Sequence, residues 1–215
     1  MQAIESQTLI LYHTDLRGQW PQAPARAFAA GLPYVRRLAA HSSEAGRASL
    51  AGAALAVRAL SRVLKRKVRA GELAFVQGHK PQLRMPRAVG DAAGAATPLQ
   101  QECAADFSIS HSGPWVGCAA LPCGQLGFDI EAGTDAGSRD WVLREAALKA
   151  TGEGLRARAA ARALDAHGEV VRWRDALWHV RRLDQFAGAA ACIISSVRIE
   201  RLESHRVPLA ELFAP

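Results

Sequence analysis

The stretch Leu126-Gly127-Phe128-Asp129-Ile130-Glu131 carries the pattern from which the fold of this chain is predicted. Apolar and acidic residues alternate along it, and successive side chains of a β-strand point to opposite faces. Phe128 and Ile130 therefore face a core, while Asp129 and Glu131 point outward together. Two carboxylates that close repel each other unless a cation lies between them, and hard oxygen ligands suit magnesium. A solvated strand edge is the simpler alternative for such a pair.

Two further strands are predicted just before this stretch. Residues 107–110 alternate in polarity and lead into His111-Ser112-Gly113, and residues 115–121 form their hairpin partner. The strand at 126–131 is then the third, after a turn at 122–124. Small hydroxyl residues and a histidine at a strand end can present donors to a phosphate. A turn that satisfies itself through its serine hydroxyls is the alternative.

The segment after the acidic strand predicts a helix over residues 139–151, with Ser138 or Asp140 as its N-cap and Gly152 as its stop. Glu145 and Lys149 are four residues apart, so they lie side by side on its surface. An ordinary helix ion pair would have the same spacing. Three more strands are predicted in the tail, at 170–173, 178–183 and 188–196.

The first half of the chain predicts a similar arrangement of helix and strands. A strand at 8–12 precedes a long helix that opens at Ser42 or Ser43 and ends around 65–67. Its buried stripe comprises Leu50, Ala54, Val57, Leu60 (or Ser61) and Leu64. A short strand at 73–76 follows, and residues 84–104 read as a loop that crosses between the halves.

We therefore expect an α+β fold of two similar lobes, residues 1–104 and 105–215, each a helix packed on a small antiparallel sheet. The two lobes would form one compact unit with the active site between them. Hydrophobic residues make up 49% of the 215 residues and lean on alanine, which predicts closely packed helices with short side chains between them.

The charge and the cysteines narrow the range of functions. The net charge is +7 and the basic residues are mostly arginine, which suits phosphate or carboxylate partners, although coding bias would also enrich arginine. The cysteines show no zinc spacing and are expected to be reduced. No apolar stretch is long enough for a signal or a membrane span, so a cytoplasmic protein without membrane contact is expected. A basic nucleic-acid-binding module is permitted by charge alone, but no nucleic-acid motif is present.

Five segments, in their order along the chain, resemble the 4′-phosphopantetheinyl transferase superfamily in its two-lobed form. The segments are Arg47-Ala48-Ser49-Leu50 (family form R-x-x-L), Gly78-His79-Lys80-Pro81 (G-K-P), Ser108 to Gly113 (S-x-S-H-S/T), Gly127 to Glu131 (G-[IV]-D-[IL]-E, with Phe128 at the second place) and Trp141 to Lys149 (W-x-x-[KR]-E-A-x-x-K). The resemblance covers roughly residues 30–155. It implies a monomer that moves the phosphopantetheine arm of coenzyme A to a serine of an acidic acyl or peptidyl carrier protein.

The resemblance also implies a role for each matching position. Asp129, Glu131 and Glu145 would bind Mg²⁺, which bridges the pyrophosphate of coenzyme A. Lys149 would balance charge on the departing 3′,5′-ADP, and Glu145 would take the proton from the attacking serine. The positions implied to grip the 3′-phosphate and adenine are Arg47, Lys80, Ser110 and His111, with Arg36 or Arg37 as an additional contact.

Two departures from the family pattern bear on function. Residues 132–144 are all that separate Glu131 from Glu145, where two-lobed members usually hold an extra helix that docks the carrier. His79 also interrupts the Gly-Lys-Pro turn. The alternative hypothesis is therefore a degenerate member that binds coenzyme A or a carrier protein without transfer.

Overall fold

The structure is a computed structural model that describes residues 7–33, 43–76, 79–84, 104–154, 164 and 168–214. The helices in these ranges are α1 (Gln22–Ala30), α2 (Glu44–Leu64) and α3 (Ala136–Thr151). The strands are β1 (Gln7–Asp15), β2 (Leu73–Ala74), β3 (Gln82–Leu83), β4 (Asp106–Ser112), β5 (Trp115–Leu121), β6 (Leu126–Ala132), β7 (Val170–Trp173), β8 (Ala176–Leu183), β9 (Ala189–Ser195) and β10 (Ile199–Arg206). The chain is thus a mixed α+β protein.

The first sheet has the strand order β10-β1-β5-β4 and is covered on one face by α2. β5 pairs antiparallel with both β1 and β4, whereas β1 and β10 run parallel. The buried face of α2 is largely alanine, and short side chains let a helix approach a sheet closely. Gly52 is the closest point, because a Cβ there would lie 2.6 Å from the Cγ2 of Ile109 on β4.

The second sheet has the order β6-β9-β8-β7, antiparallel throughout, and is covered by α3. The contact of α3 with β6 is closest at Gly127. A Cβ at Gly127 would collide with the carbonyl oxygen of Ala146 and would lie 2.5 Å from the amide nitrogen of Ala150. Only glycine therefore fits here, and this approach brings the polar face of α3 beside β6.

The two sheets face each other across a third core, so the layers run α2, first sheet, second sheet, α3. Leu9 and Leu11 of β1 pack in this core with Phe128 and Ile130 of β6. The prediction that Phe128 and Ile130 point into a core is thus confirmed. The sheets meet edge to edge where β4 lies beside β6.

Most predicted elements are present, with several corrections. α2 begins after Ser43, whose hydroxyl accepts from the amide of Gly46, as an N-cap should. The N-cap of α3 is Asp135 rather than Ser138 or Asp140, because its carboxylate accepts from the amide of Ser138 and starts the helix earlier. The strand predicted at 73–76 is only Leu73–Ala74.

Pairing and burial differ from the predictions in other places. β6 pairs with β9 and not with the hairpin of β4 and β5. Helix α1 and strand β10 had no counterpart among the predicted elements. On α2 the stripe is buried at Leu50, Ala54 and Leu60, while the other predicted members are only half-buried. The first sheet combines strands from both predicted lobes: β1 belongs to residues 1–104, whereas β4, β5 and β10 belong to residues 105–215.

Three further predictions concern the crossing loop, the cysteines and a membrane span. The crossing loop predicted at 84–104 lies outside the described residues except at its two ends. Cys118, Cys123 and Cys192 are free thiols, and burial raises the pKa of Cys118 and raises that of Cys192 to about 12. Among the helices of the described ranges, none is long and apolar enough to cross a membrane.

Candidate functional site

Lys149 joins three of the motif segments in a single cluster. Its ammonium nitrogen donates to Oδ1 of Asp129 at 2.6 Å and to the carbonyl oxygen of Ile109 at 3.3 Å. The same Oδ1 accepts from the hydroxyl of Ser110 at 2.7 Å. Asp129 lies on β6, Ser110 on β4 and Lys149 on α3. The cluster therefore lies where the two sheets and α3 meet.

The sequence pattern predicts that both carboxylates point outward into solvent. For Asp129 this prediction is wrong, because the residue is buried. Only 5% of the residue is exposed, because α3 covers this face of β6. A buried carboxylate is costly unless it is paired and hydrogen-bonded. Lys149 and Ser110 supply both kinds of partner, and the Lys149 side chain keeps 30% of its surface exposed.

The edges of β4 and β6 are joined by serine hydroxyls in place of a backbone ladder. The hydroxyls of Ser108, Ser110 and Ser112 accept from the amides of Phe128, Ile130 and Ala132 at 3.0, 3.2 and 2.9 Å. Residues two apart on a strand share a face, so three alternate serines can meet three alternate amides of the neighbouring strand. The serine hydroxyls, which the sequence left open between donors to a phosphate and a self-satisfied turn, instead bond to β6, and the hydroxyl of Ser110 is already engaged.

Lys80 makes a second charged contact at the start of β4 and β6. Its ammonium forms an ion pair with Asp106 and donates to the carbonyl oxygen of Leu126 at 2.6 Å. The same carboxylate accepts from the amide of Leu126 at 2.7 Å. Burial lowers the pKa of Lys80, and the charge of Asp106 opposes that shift. Lys80 therefore fastens the two sheets together at this point.

A cavity of about 330 Å³ lies between these two lysines. Its walls include His79, Lys80, Ser108, Ile109, Lys149 and Gly152. A second cavity of about 360 Å³ shares Lys80, Pro81 and Gly152 with it and extends toward Asp106. Cavities of this size accept part of a small molecule, and two ammonium groups favour an anionic one.

The three predicted metal ligands differ in their surroundings. Glu131 is half-buried, with Oε1 3.5 Å from the hydroxyl of Ser112, and Glu145 is half-buried one helical turn before Lys149. Three carboxylates are the donor set that Mg²⁺ prefers. Within the described ranges, however, the side chains form no cluster of three or more acidic, histidine or cysteine residues that could hold a metal ion. The positive charge beside Asp129 is the ammonium of Lys149.

The predicted nucleotide contacts are only partly brought together. His111 lies at the end of β4 and is largely exposed as a residue. Partial desolvation of its ring is the main cause that lowers its pKa, and the charge of Lys149 adds to this shift, while Asp129 opposes it. Arg47 is exposed at the start of α2, where its guanidinium lies 5.7 Å from the ring centre of Trp20. No contact between described residues joins Arg47 to the Lys149 cluster. Arg36 and Arg37 lie outside the described residues.

The roles of two residues at the site were not predicted from the sequence. Asp106 pairs with Lys80 across the sheet edges, and an isolated acid at the start of a strand carries no motif that would single it out. Gly127 belongs to a quoted motif, but its purpose, the close approach of α3, depends on a contact with Ala146 far along the chain. A glycine in the interior of a strand is the one sequence signal of such a close backbone approach.

Comparisons with known proteins add no family to this description. No family model matches the chain, and no curated protein matches it.

Proposed function

We propose that this protein transfers the 4′-phosphopantetheine arm of coenzyme A to a serine of an acyl or peptidyl carrier protein and releases 3′,5′-ADP. The observation that supports this most directly is the meeting of the motif segments around one cavity. Asp129, Ser110 and Lys149 come from three segments that are separate in sequence and touch one another in the fold. The cavity beside them is lined by Lys80 and Lys149.

Anion binding is the part of this activity that the described side chains support best. The side chain of Lys149 lines the cavity and keeps 30% of its surface exposed, so its ammonium can donate to a pyrophosphate oxygen without leaving Asp129. Phosphoryl-type transfer depends mainly on position and on neutralising oxygens that gain charge. In the proposal Lys80, Ser110, His111 and Arg47 bind the nucleotide end of coenzyme A.

The proposed metal ligands are Asp129, Glu131 and Glu145, whose carboxylate oxygens have the chemistry that Mg²⁺ requires. When bound there, Mg²⁺ would supply charge neutralisation at the pyrophosphate. Asp129 and Glu131 alternate on β6 and therefore share the face that α3 covers. Glu145 lies on the same side of α3 as Lys149, which already reaches Asp129.

The proton of the attacking serine needs an acceptor near the cavity. Glu145 is our candidate for this general base, because it is a half-buried carboxylate one turn from Lys149. Asp129 has a positioning role in the proposal, since it holds the ammonium of Lys149 through Oδ1.

The remaining parts of the proposal concern the whole protein. The net charge of +7 suits an acidic carrier protein and a polyanionic co-substrate. Two helix-and-sheet units face each other, α2 on the first sheet and α3 on the second, as two lobes related by a pseudo-twofold axis would require. We propose a cytoplasmic monomer.

The test is mass spectrometry of apo carrier proteins incubated with coenzyme A and Mg²⁺. We expect a mass gain of one phosphopantetheine group with at least one carrier, and its loss in Glu145→Gln and Lys149→Met. Glu200→Gln, at an exposed acid on β10, is the matched control and should retain activity. No gain with several carriers, where a known transferase succeeds, would overturn the proposal.

The alternative is a chain that binds coenzyme A or a carrier protein without transfer. One observation favours it: α3 follows β6 after only residues 133–135, so the short connection leaves no room for a further helix. Calorimetry separates the two. Tight coenzyme A binding with no turnover, unchanged in Glu145→Gln and in EDTA, would establish the alternative.

A further inference from the structure

A large groove lies away from the Lys149 cluster. It has a volume of about 830 Å³ and opens beside β7, β8 and the start of β10. We name it the β7–β8 groove. Its lining includes Val170, His179, Arg181, Arg198 and Ile199, with Glu169 as the acid among the lining residues. None of these residues belongs to a motif used above.

The groove exists because the core between the sheets ends here. Leu183 of β8 is buried in that core, and Arg181, His179 and Leu177 follow it on the same face. Exposure rises along this face from 7% at Leu183 to 54% at Leu177. The outer part of the second sheet is therefore not covered by the first sheet.

Three arginines line the groove: Arg181, Arg182 and Arg198. Some guanidinium groups outside the groove are paired with carboxylates, as in the pairs of Arg17 with Asp15 and Arg66 with Glu72. Among the described residues no ion pair is formed by Arg181 or Arg198. Two of the three, Arg181 on β8 and Arg198 just before β10, thus bring guanidinium groups from different segments to one groove, and neither forms an ion pair with a described acid. A guanidinium is a planar, bidentate donor that matches phosphate.

We propose that the β7–β8 groove binds a small organic phosphate. Arg181 and Arg198 bind the phosphate group, with His179 as a further donor beside them. The apolar side chains of Val170 and Ile199 contact the organic part of the ligand. The volume lies within the range of small-molecule sites and exceeds that of a bare phosphate ion, so the ligand carries more than its anionic group.

The test uses phenyl phosphate and inorganic phosphate as probes on the full chain at low ionic strength, followed by ¹⁵N NMR. We expect phenyl phosphate to shift the amide signals of Val170, His179 and Ile199 and to bind more tightly than inorganic phosphate. Charge-assisted contacts predict at least about a tenfold loss of affinity in the double variant Arg181→Gln, Arg198→Gln. The amide spectrum of each variant verifies its fold.

A matched double variant, Arg17→Gln with Arg201→Gln, removes the same charge from exposed positions outside the groove. It should change the affinity less than about twofold, since only diffuse attraction is lost. The groove shares no lining residue with the cavity beside Lys149, so this proposal can fail without the transferase proposal failing. Equal losses in the two double variants, or no loss in either, would overturn the site. Equal affinity for the two probes would overturn the organic part of the assignment.

Discussion

The ammonium of Lys149 lies 2.6 Å from Oδ1 of Asp129 and so connects helix α3 to the edge of the second sheet. It also donates to the carbonyl oxygen of Ile109, which lies on the edge strand of the first sheet. One side chain thus contacts both sheets at their junction. Because the motif residues are held by these contacts, stability and function can be separated only by comparing variants in both kinds of assay.

Lys149→Met should destabilise the fold by about 2–4 kcal/mol, because it leaves the carboxylate of Asp129 buried without a counter-charge. Urea denaturation at pH 7 measures the change. Arg144→Met is the control, since its pair with Asp140 spans 3.9 Å at the surface and contributes less than about 1 kcal/mol. Similar losses in both variants would show that the burial of Asp129 is not the cause.

Gly127→Ala should cost about 3 kcal/mol or more, because the new methyl group collides with the backbone of α3 at Ala146. The helix would have to move away from β6. Gly168→Ala is the control: its φ of +81° carries backbone strain, but nothing lies within 4 Å of its Cβ position. Its cost should be about 1 kcal/mol. Thermal and urea unfolding of both variants give the comparison.

Ser110→Ala should destabilise by about 1–3 kcal/mol, because the buried amide of Ile130 and the carboxylate of Asp129 each lose a hydrogen bond. Ser49→Ala, on the exposed side of α2, removes a hydroxyl that bonds only to its own helix, at Ala45. That control should change stability by less than about 0.5 kcal/mol. An equal effect at both serines would contradict a role for hydroxyls in joining the sheets.

Stability should decrease as the pH is lowered, because of His13. Burial, and then the charges of Arg206 and His205, lower the pKa of His13 to about 4. The unfolded chain has a histidine pKa near 6.5, so between these values only the unfolded state binds the proton. The contribution is fully present above about pH 6.5 and is lost as the pH falls toward 4. It amounts to at most about 3 kcal/mol.

The test of His13 is the slope of unfolding free energy against pH, measured by urea denaturation between pH 7.5 and 4.5. His13→Leu should flatten the slope, whatever its effect at pH 7.5, because no imidazole remains to be protonated at that position. A variant with the slope of the parent protein would show that other groups cause the loss.

The sequence predicts local structure well where turns and alternation are strong. Strand β5 has the predicted bounds because Gly113-Pro114 and Pro122–Gly124 punctuate it on both sides. Strand β10 lacks such a signal, since Ile199 and Leu202 are its only aliphatic residues and the others are polar or charged. It is an edge strand that depends on β1 for its position, and a partner so distant in sequence leaves no local pattern.

The site shows the same division between local and distant information. Spacing places Glu145 and Lys149 on one side of a helix, and alternation places Asp129 and Glu131 on one face of a strand. Spacing alone does not predict the burial of Asp129 or the hydrogen bond that Ser110 donates to it. Both depend on how closely α3 and β4 approach β6. The ion pair of Lys80 with Asp106 is likewise a contact between segments without a shared pattern.

The parallel pairing of β1 with β10 affects the order in which the protein can be built. Thr14 donates its hydroxyl hydrogen to the carbonyl oxygen of Val207, a partner 193 residues further along the chain. During translation β1 leaves the ribosome long before β10 exists, so one of its edges stays open until Ile199–Arg206 has been synthesised. Such long-range closure slows folding and leaves an exposed strand edge open to association with other chains. Expression at lower temperature or with chaperones that shield nascent chains should therefore raise the soluble yield.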